Sequence, residues 1–247
     1  MTIYTIWLRN LKRYIRSKSR IIGSLAQPLF FLVVLGFGLK SIQIPGMSSN
    51  YLDFVLPGIV AMTVLFSSIF SGIQVIWDKQ FGFLKETLVA PVSRTKIMIG
   101  QTLGGATTSL IQGALILILA LIITGVHTNF FGVLIALGFM ILIGLSLTSV
   151  GIIIASRMED MQGFQLIMNL LIMPLFFLSG ALFPLTSAPK VLQIITYFDP
   201  MTYGVEGIRY GLLGISQINI FICLAVLVVF TIIIAILGGI SFKKIKI

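Results

Sequence analysis

The stretch PLFFLSGALFPLTSAPKVLQIITYFDPMTYGVEGIR, residues 174–209, decides the fold. It begins apolar enough to lie in a bilayer, and prolines then divide the following residues into two short helical pieces. Neither piece can cross a membrane, because a spanning helix needs about 20 apolar residues. Asp199 before Pro200 is typical of a helix N-cap followed by proline at the first helical position. We therefore predict a re-entrant outer hairpin over residues 185–215, with an amphipathic surface loop as the alternative.

The composition places this hairpin in a membrane protein. Hydrophobic residues make up 57% of the chain and charged residues 10%, and the mean hydropathy is +1.10. A soluble domain of 247 residues does not hide that much apolar surface, so several membrane spans are expected. The charge of +10 does not indicate nucleic-acid binding, which requires a basic face on a soluble module. One cysteine and one histidine exclude an intrachain disulfide and argue against a His/Cys metal site.

Apolar runs on both sides of the hairpin complete an all-α membrane protein with six transmembrane helices. Residues 1–20 place basic side chains against apolar ones at helical spacing, which predicts an amphipathic elbow helix on the membrane. A signal peptide is the alternative, but no clear small-residue cleavage site follows. The six spans are expected at about residues 21–39, 57–77, 97–124, 130–156, 163–183 and 218–240.

The basic residues predict the orientation of these spans. With the N-terminus in the cytoplasm, all but three of the 17 Lys and Arg residues fall on the cytoplasmic side. The three exceptions are Lys40, Lys190 and Arg209. Such an excess is the positive-inside pattern, so we expect both termini to be cytoplasmic.

One cytoplasmic loop is long enough to dock a partner. It reads DKQFGFLKETLVAPVSRTK over residues 78–96. Phe81, Leu84 and Leu88 share one face of a short predicted helix, which ends before Pro91. The pattern indicates either a docking helix or a helix that lies on lipid.

Small and polar residues inside the spans predict contacts within the membrane. In the third span, Gly100 and Gly104 begin a small-residue stripe that lets helices pack closely. Gln165 and Asn169 lie one turn apart in the fifth span, and because amides are costly in hydrocarbon we expect helix-to-helix hydrogen bonds. Aromatic residues at membrane depth either line a path or face lipid: Phe30, Phe31, Phe66, Phe70, Phe176 and Phe177.

Glu206 and Arg209 form an expected ion pair near the end of the hairpin. At this spacing on a helix the two charges can neutralise each other. An unpaired charge at membrane depth costs roughly 2.5 to 3.5 kcal/mol. We therefore expect Arg209→Ala to be more harmful than Lys190→Ala, and exchange of the two charges to recover part of the loss.

No source of energy is visible in the chain. The sequence contains no GxxxxGK[ST] loop for ATP, and no catalytic constellation. Its Asp, Glu and His residues do not fall where a proton or sodium coupling site inside the membrane would need them. We expect a chain that is not an enzyme and that depends on another polypeptide for energy.

Several motifs together resemble a known family over essentially the whole chain. They are the PG entrance to the second span, the loop GFLKETLVAPVSRTKIMIG, and FFLSGALFPL followed by FDPMTYGVEGIR. These resemble the membrane subunit of type-2 ATP-binding-cassette exporters, and most of all the multidrug-export branch typified by the daunorubicin-resistance permease. The resemblance implies an elbow helix, a coupling helix, a re-entrant hairpin and a homodimer in a prokaryotic cell membrane. It also implies two copies of a separate ATPase subunit, which binds ATP and Mg while this chain holds no cofactor.

The resemblance assigns residues to roles. Residues 78–89 would form the coupling helix, and the ATPase-coupling set would be Asp78, Phe81, Leu84, Lys85, Glu86, Leu88, Pro91 and Arg94. The outer gate would contain Ser179, Gly180, Phe183, Pro184, Asp199, Pro200, Glu206 and Arg209. This chain has Lys79 and Gln80 where many relatives carry an Arg-Glu pair, so an ion pair with the ATPase is not carried over.

The sequence allows more than one class of transported compound. The branch implies export of a drug, an antibiotic or a lipid-like compound. Polysaccharide and teichoic-acid exporters share the same plan and are the first alternative. A membrane immunity or anchor protein that transports nothing is the second.

Overall fold

The computed structural model of the chain describes residues 2–38, 51–89, 91–126, 128–185 and 189–243. Lys40, Lys244 and Lys246 lie outside these residues, and so do the side chains of Lys85 and Leu88. The described part is helical almost throughout and contains no β-strand. The chain is therefore an all-α membrane protein.

The helices follow one another as α1 (Thr2–Arg16), α2 (Lys18–Gly38), α3 (Tyr51–Phe70), α4 (Ile73–Gln80), α5 (Phe83–Val89), α6 (Arg94–Thr124), α7 (Phe130–Arg157), α8 (Met161–Leu178), α9 (Lys190–Thr196), α10 (Pro200–Leu213) and α11 (Ile220–Lys243). Among the described residues, five helical segments are long and apolar enough to cross a membrane: α3 with α4, α6, α7, α8 and α11. The bent pair of α1 and the first part of α2, at 72°, raises this number to six at most.

Helix α1 lies against α6, and glycines make this contact possible. A Cβ at Gly100 would come within 2.9 Å of Ile6 Cβ, and one at Gly104 within 2.7 Å of Asn10 Cβ. Ile6 and Tyr14 form the buried face of α1. The small-residue stripe therefore packs helices, as predicted, and its neighbour is the elbow helix.

Helix α3 is the centre of the bundle. Nearly all its side chains are buried, and it packs against α2, α6, α7, α8 and α10. It begins at Tyr51 and continues through Pro57, so it starts earlier than the span expected from sequence. A Cβ at Gly58 would lie 2.4 Å from the carbonyl oxygen of Ala181, so this crossing accepts only glycine.

The segment after α8 turns back as two short helices. Gly180 has φ +70, which ends the preceding helical run in the left-handed region that favours glycine. α9 has 7 residues and α10 has 14, so neither can cross the membrane. The Tyr203 hydroxyl donates to the carbonyl oxygen of Tyr197 at 2.8 Å and holds the two helices together.

α10 lies inside the protein. Its residues from Met201 to Leu212 are buried except Tyr210, and Gly207 sits against the ring of Phe139 on α7. A surface loop therefore does not describe α10.

Candidate functional site

A buried ionic cluster joins the hairpin to the start of α3. Arg209 and Glu206 are 1% and 0% exposed, and an Arg209 Nη1–Glu206 Oε1 hydrogen bond joins them. Arg209 Nη2 also donates to the carbonyl oxygen of Gly180 at 2.8 Å, and the guanidinium lies 4.2 Å from the ring centroid of Phe54. Glu206 Oε2 accepts from the backbone N–H of Gln217 at 2.5 Å. The outer cluster, defined as these five residues, thus ties together four parts of the chain.

The remaining residues assigned to the outer gate surround this cluster. Ser179 is buried and donates to the carbonyl oxygen of Phe176 at 2.7 Å. Phe183 is 60% exposed, and Pro184 is half-buried. The Tyr51 hydroxyl donates to the Leu182 carbonyl oxygen at 3.2 Å, which fastens this turn to α3.

Asp199 caps α10 from a buried position. Its Oδ1 accepts from the backbone N–H of Met201 at 2.8 Å, and Pro200 is the first residue of the helix. Its Oδ2 is buried without a hydrogen-bond partner in the described structure. Burial raises the pKa of Asp199 to about 7, against the lowering effect of the Met201 hydrogen bond.

A second ionic cluster lies at the opposite end of the bundle. Asp78 is 3% exposed, and its Oδ2 accepts from Arg9 Nη2 at 2.5 Å and from Gln101 Nε2 at 3.1 Å. Arg13 Nη1 is 3.7 Å from Asp78 Oδ1, and Gln74 Nε2 donates to the same oxygen at 3.3 Å. The Asp78 cluster, defined as these five residues, fastens α1, α4 and α6 together. Its carboxylate therefore faces the interior of the chain and not a soluble partner.

The end of α4 is also tied to the junction between α7 and α8. Lys79 Nζ donates to the carbonyl oxygens of Ser156 at 2.6 Å and Met158 at 3.1 Å. Gln80 Nε2 donates to the Glu159 carbonyl oxygen at 2.9 Å. The two residues that depart from the Arg-Glu pattern of the resembling family thus bond within the chain.

The expected coupling helix is divided at Gly82, which has φ +78. α5 begins only at Phe83, and Leu84 is 4% exposed, so it does not offer a docking side chain. Phe81 and Phe83 are 69% and 48% exposed. Sequence reasoning missed Phe83 because it continued one helix from residue 78 to 89, although the glycine signals a break.

The other residues assigned to coupling separate into two groups. Glu86 and Pro91 are exposed beside α5. Arg94 instead donates from Nη1 to the Lys243 carbonyl oxygen at 2.8 Å, which joins the start of α6 to the end of α11.

A polar cavity of about 210 Å³ opens among α2, α3 and α6. Amides and hydroxyls from Gln27, Gln112 and Ser67 line it together with Phe66 and Phe70. The two rings are stacked, with centroids 6.3 Å apart. Sequence reasoning named the aromatic pair, but Gln112 comes from a distant part of the chain and was missed.

Other polar side chains at membrane depth face away from the subunit. Gln165 and Asn169 on α8 are exposed, and the described residues offer them no hydrogen bond. The expected helix-to-helix hydrogen bonds are therefore not formed within the described part of one subunit. Phe30 on α2 is 65% exposed as well. Within the described residues, no group of three His, Cys, Asp or Glu is placed to hold a metal ion.

Comparison with known proteins gives consistent matches. A family model described as "ABC-2 type transporter" matches residues 1–213. The chain is 31% identical over 241 residues to ycf38 of Cyanophora paradoxa, named as a transport permease, covering 91% of this chain and 82% of that protein. It is 27% identical over 233 residues to Nodulation protein J of Rhizobium leguminosarum bv. viciae, covering 92% and 88%. Inner membrane transport permease YadH of Escherichia coli K12 is 26% identical over 235 residues, covering 93% and 90%.

Proposed function

The chain belongs to the ABC-2 type transporter family, and from this premise we propose that it is the permease subunit of an exporter of amphipathic compounds. A separate ATPase subunit, which binds ATP and Mg, drives the transport. The compound is a drug, an antibiotic or a lipid-like molecule of the multidrug-export type. The observation that carries this substrate class is the cavity lined by Gln27, Gln112, Ser67 and the Phe66–Phe70 pair.

The cavity suits a compound with an apolar part and a few polar groups. Stacked rings offer an apolar wall, and amides on two neighbouring helices offer donors and acceptors at fixed positions. Gln112 is 4% exposed and makes no hydrogen bond within the described chain, so its amide is available to a bound molecule. A compound that entered from the membrane would find there hydrogen-bond partners that the hydrocarbon does not offer.

The ATPase contacts the exposed rings of Phe81 and Phe83. Aromatic side chains, Phe included, are enriched at protein interfaces, and these two rings are exposed. Movement of α5 reaches the membrane through α4, because the Asp78 cluster and the Lys79 bonds hold α4 to α1, α6 and the α7–α8 junction. Such a rigid unit can tilt the spans and switch access between the two sides of the membrane.

The exporter is a homodimer that binds two ATPase subunits. Gln165 and Asn169 support this arrangement, because exposed amides on a spanning helix are costly unless protein or water covers them. A second subunit across α8 supplies that cover and closes a path between the two copies. Both termini are cytoplasmic in the cell membrane of a prokaryote.

Co-purification with the cognate ATPase tests the coupling surface. The double variant Phe81→Asp with Phe83→Asp is expected to insert and dimerise normally and to lose the ATPase. The control is Phe131→Asp, because Phe131 is 76% exposed at the start of α7, the opposite end of the bundle. If the double variant still binds the ATPase and still transports, α5 is a lipid-facing helix and the coupling assignment is wrong.

A polysaccharide or teichoic-acid exporter is the second candidate, because phenyl rings at Phe66 and Phe70 also offer a stacking surface for sugar rings. Both subunits reconstituted in vesicles would be offered an amphipathic cationic dye or a lipid-linked oligosaccharide. We expect the dye to stimulate ATP hydrolysis, and Gln112→Leu to weaken that stimulation. Stimulation by the oligosaccharide alone favours the second candidate. A response to neither, from a complex that hydrolyses ATP, favours a non-transporting protein.

A further inference from the structure

A long groove runs along an exposed side of the bundle, away from the polar cavity. It lies among α6, α7 and α11 and has a volume of about 550 Å³. One end is at Thr231, and the other is at Lys243, the last residue of α11. At 1.5 Å per residue the groove follows α11 for about 18 Å. One leaflet of a bilayer has a hydrocarbon depth of about 15 Å, so the groove has the length of one leaflet.

The wall of the groove suits an acyl chain. Ile232, Ile236 and Ile240 line it from α11, and their exposed fractions are 54%, 59% and 48%. Two hydroxyls in the wall have partners on their own helices. The Ser149 hydroxyl donates to the Leu145 carbonyl oxygen at 2.8 Å, and the Thr231 hydroxyl donates to the Leu227 carbonyl oxygen at 2.7 Å. An apolar occupant therefore leaves both of these hydroxyls with their partners.

A glycine, Gly239, gives the groove its depth near the membrane surface, because it has no side chain. Gly239 lines the groove, and a Cβ there would meet only Thr95 Cγ2, at an ordinary distance of 3.6 Å. The neighbouring Gly238 is different, because a Cβ there would lie 2.2 Å from Met98 Cε. Gly238 thus packs the helices together, while Gly239 leaves space that a larger side chain would fill.

The surface end of the groove carries positive charge. Lys243 lines it, and Lys96 lies one residue after Thr95 in the first turn of α6. Both lysines are exposed, and neither has an acidic partner among the ion pairs of the described residues. The first turn of α6 adds the positive end of a helix dipole, and Ser93 does not cap it through its side chain.

We propose that the groove among α6, α7 and α11 binds one anionic phospholipid, with an acyl chain along Ile232 to Ile240 and the headgroup phosphate at Lys96 and Lys243. The lipid comes from the leaflet beside α1 and α5. The apolar wall matches the acyl chain of such a lipid, and the lysines at the surface end match its phosphate. The site does not depend on which compound the exporter moves.

Native mass spectrometry of the purified full-length permease tests the site. The detergent-solubilised protein would be mixed with phosphatidylglycerol or phosphatidylcholine that carry the same acyl chains. We expect one phosphatidylglycerol retained per subunit, in preference to phosphatidylcholine. Gly239→Leu should abolish this retention. The control Ala225→Leu adds the same side chain at an exposed position of α11 outside the groove and should bind as the wild type does.

The lysines provide an independent readout. Each of Lys96→Gln and Lys243→Gln should lower the preference for phosphatidylglycerol about fivefold, since a basic residue near a membrane surface contributes that much to the attraction of anionic lipid. The proposal is wrong if Gly239→Leu retains the lipid, or if the lysine variants keep the full preference. It is also wrong if Gly239→Leu dissociates the dimer, because the groove then holds a second copy of the chain.

Discussion

Replacing Arg209 by alanine should destabilise this protein far more than replacing the exposed Lys190. Arg209→Ala leaves the Glu206 carboxylate fully buried, with only the Gln217 N–H as a described partner. Removing one member of a buried ion pair costs about 3–5 kcal/mol, because the other charge stays unpaired. The contacts of Arg209 with Phe54 and with the Gly180 carbonyl oxygen are lost at the same time. Lys190→Ala should change stability by less than about 0.5 kcal/mol.

The surroundings of the pair also decide what a charge exchange does. A glutamate at position 209 would face the Gly180 carbonyl oxygen, so two acceptors would meet. An arginine at position 206 would face the Gln217 N–H, so two donors would meet. The spacing of the two residues alone predicted partial recovery on exchange, and the structure reverses this expectation. The neutral pair Glu206→Gln with Arg209→Gln should recover more than the exchange, because it leaves no buried charge.

Thermal unfolding followed by size exclusion in detergent measures these differences. A loss of about 3–5 kcal/mol corresponds to a decrease in Tm of roughly 6–20 °C for a chain of this length. We expect Arg209→Ala and the exchange variant in that range, the neutral pair above them, and Lys190→Ala near the wild type. If Arg209→Ala has the same Tm as Lys190→Ala, or if the exchange restores the wild-type Tm, the outer cluster does not stabilise the hairpin as inferred.

Three further predictions concern the rest of the chain. Asp78→Asn should lower the Tm by several degrees, because it leaves Arg9 and Arg13 without their carboxylate. The control Glu86→Gln changes an exposed residue and should leave the Tm unchanged. Equal Tm values for the two variants would exclude an anchoring role for Asp78. The folded pKa of Asp199, about 7, exceeds the ordinary 3.8, so its contribution to stability should fall as the pH rises from about 4 to 7. Asp199→Asn keeps a cap without this titration and should flatten the Tm profile over that same pH range; an unchanged profile would assign the dependence elsewhere. In a Cys223→Ala background, Asn129→Cys should react with an impermeant thiol reagent outside sealed cells and Ser93→Cys should not; the reverse would invert the topology.

The hairpin and the elbow helix could be predicted because their signals are local. Asp199 and Pro200 define the start of α10 within two residues, and Glu206 and Arg209 lie one turn apart on it. The basic and apolar residues of α1 alternate with a helical period, which does not depend on the rest of the chain. Such patterns reveal secondary structure and short-range pairs directly.

The partners of these elements could not be predicted, because they are distant in sequence. Arg9 and Asp78 are 69 residues apart, and Gly180 is 29 residues from Arg209. Even the buried face of α5 depended on a distant neighbour. An apolar pattern identifies Phe81, Phe83 and Leu84 as hydrophobic, but only the packed bundle decides that Leu84 is covered and that the two rings are not. For this reason the sequence pattern placed Leu84 on the exposed face of the predicted docking helix, whereas Phe83 is the exposed residue.

The two ionic clusters lie at opposite ends of one continuous element. In the first turn of α3, the ring of Phe54 contacts the guanidinium of Arg209. The last turn of α4 carries Asp78 and Lys79. The turn between α3 and α4 is held against α7, because a Cβ at Gly72 would lie 2.5 Å from the Gly151 carbonyl oxygen. A bend at this turn would force two backbones apart in a close-packed interior. We therefore expect a displacement of α5 to move α3 and α4 as one body, and to reach the hairpin as a shift of Phe54 beneath Arg209.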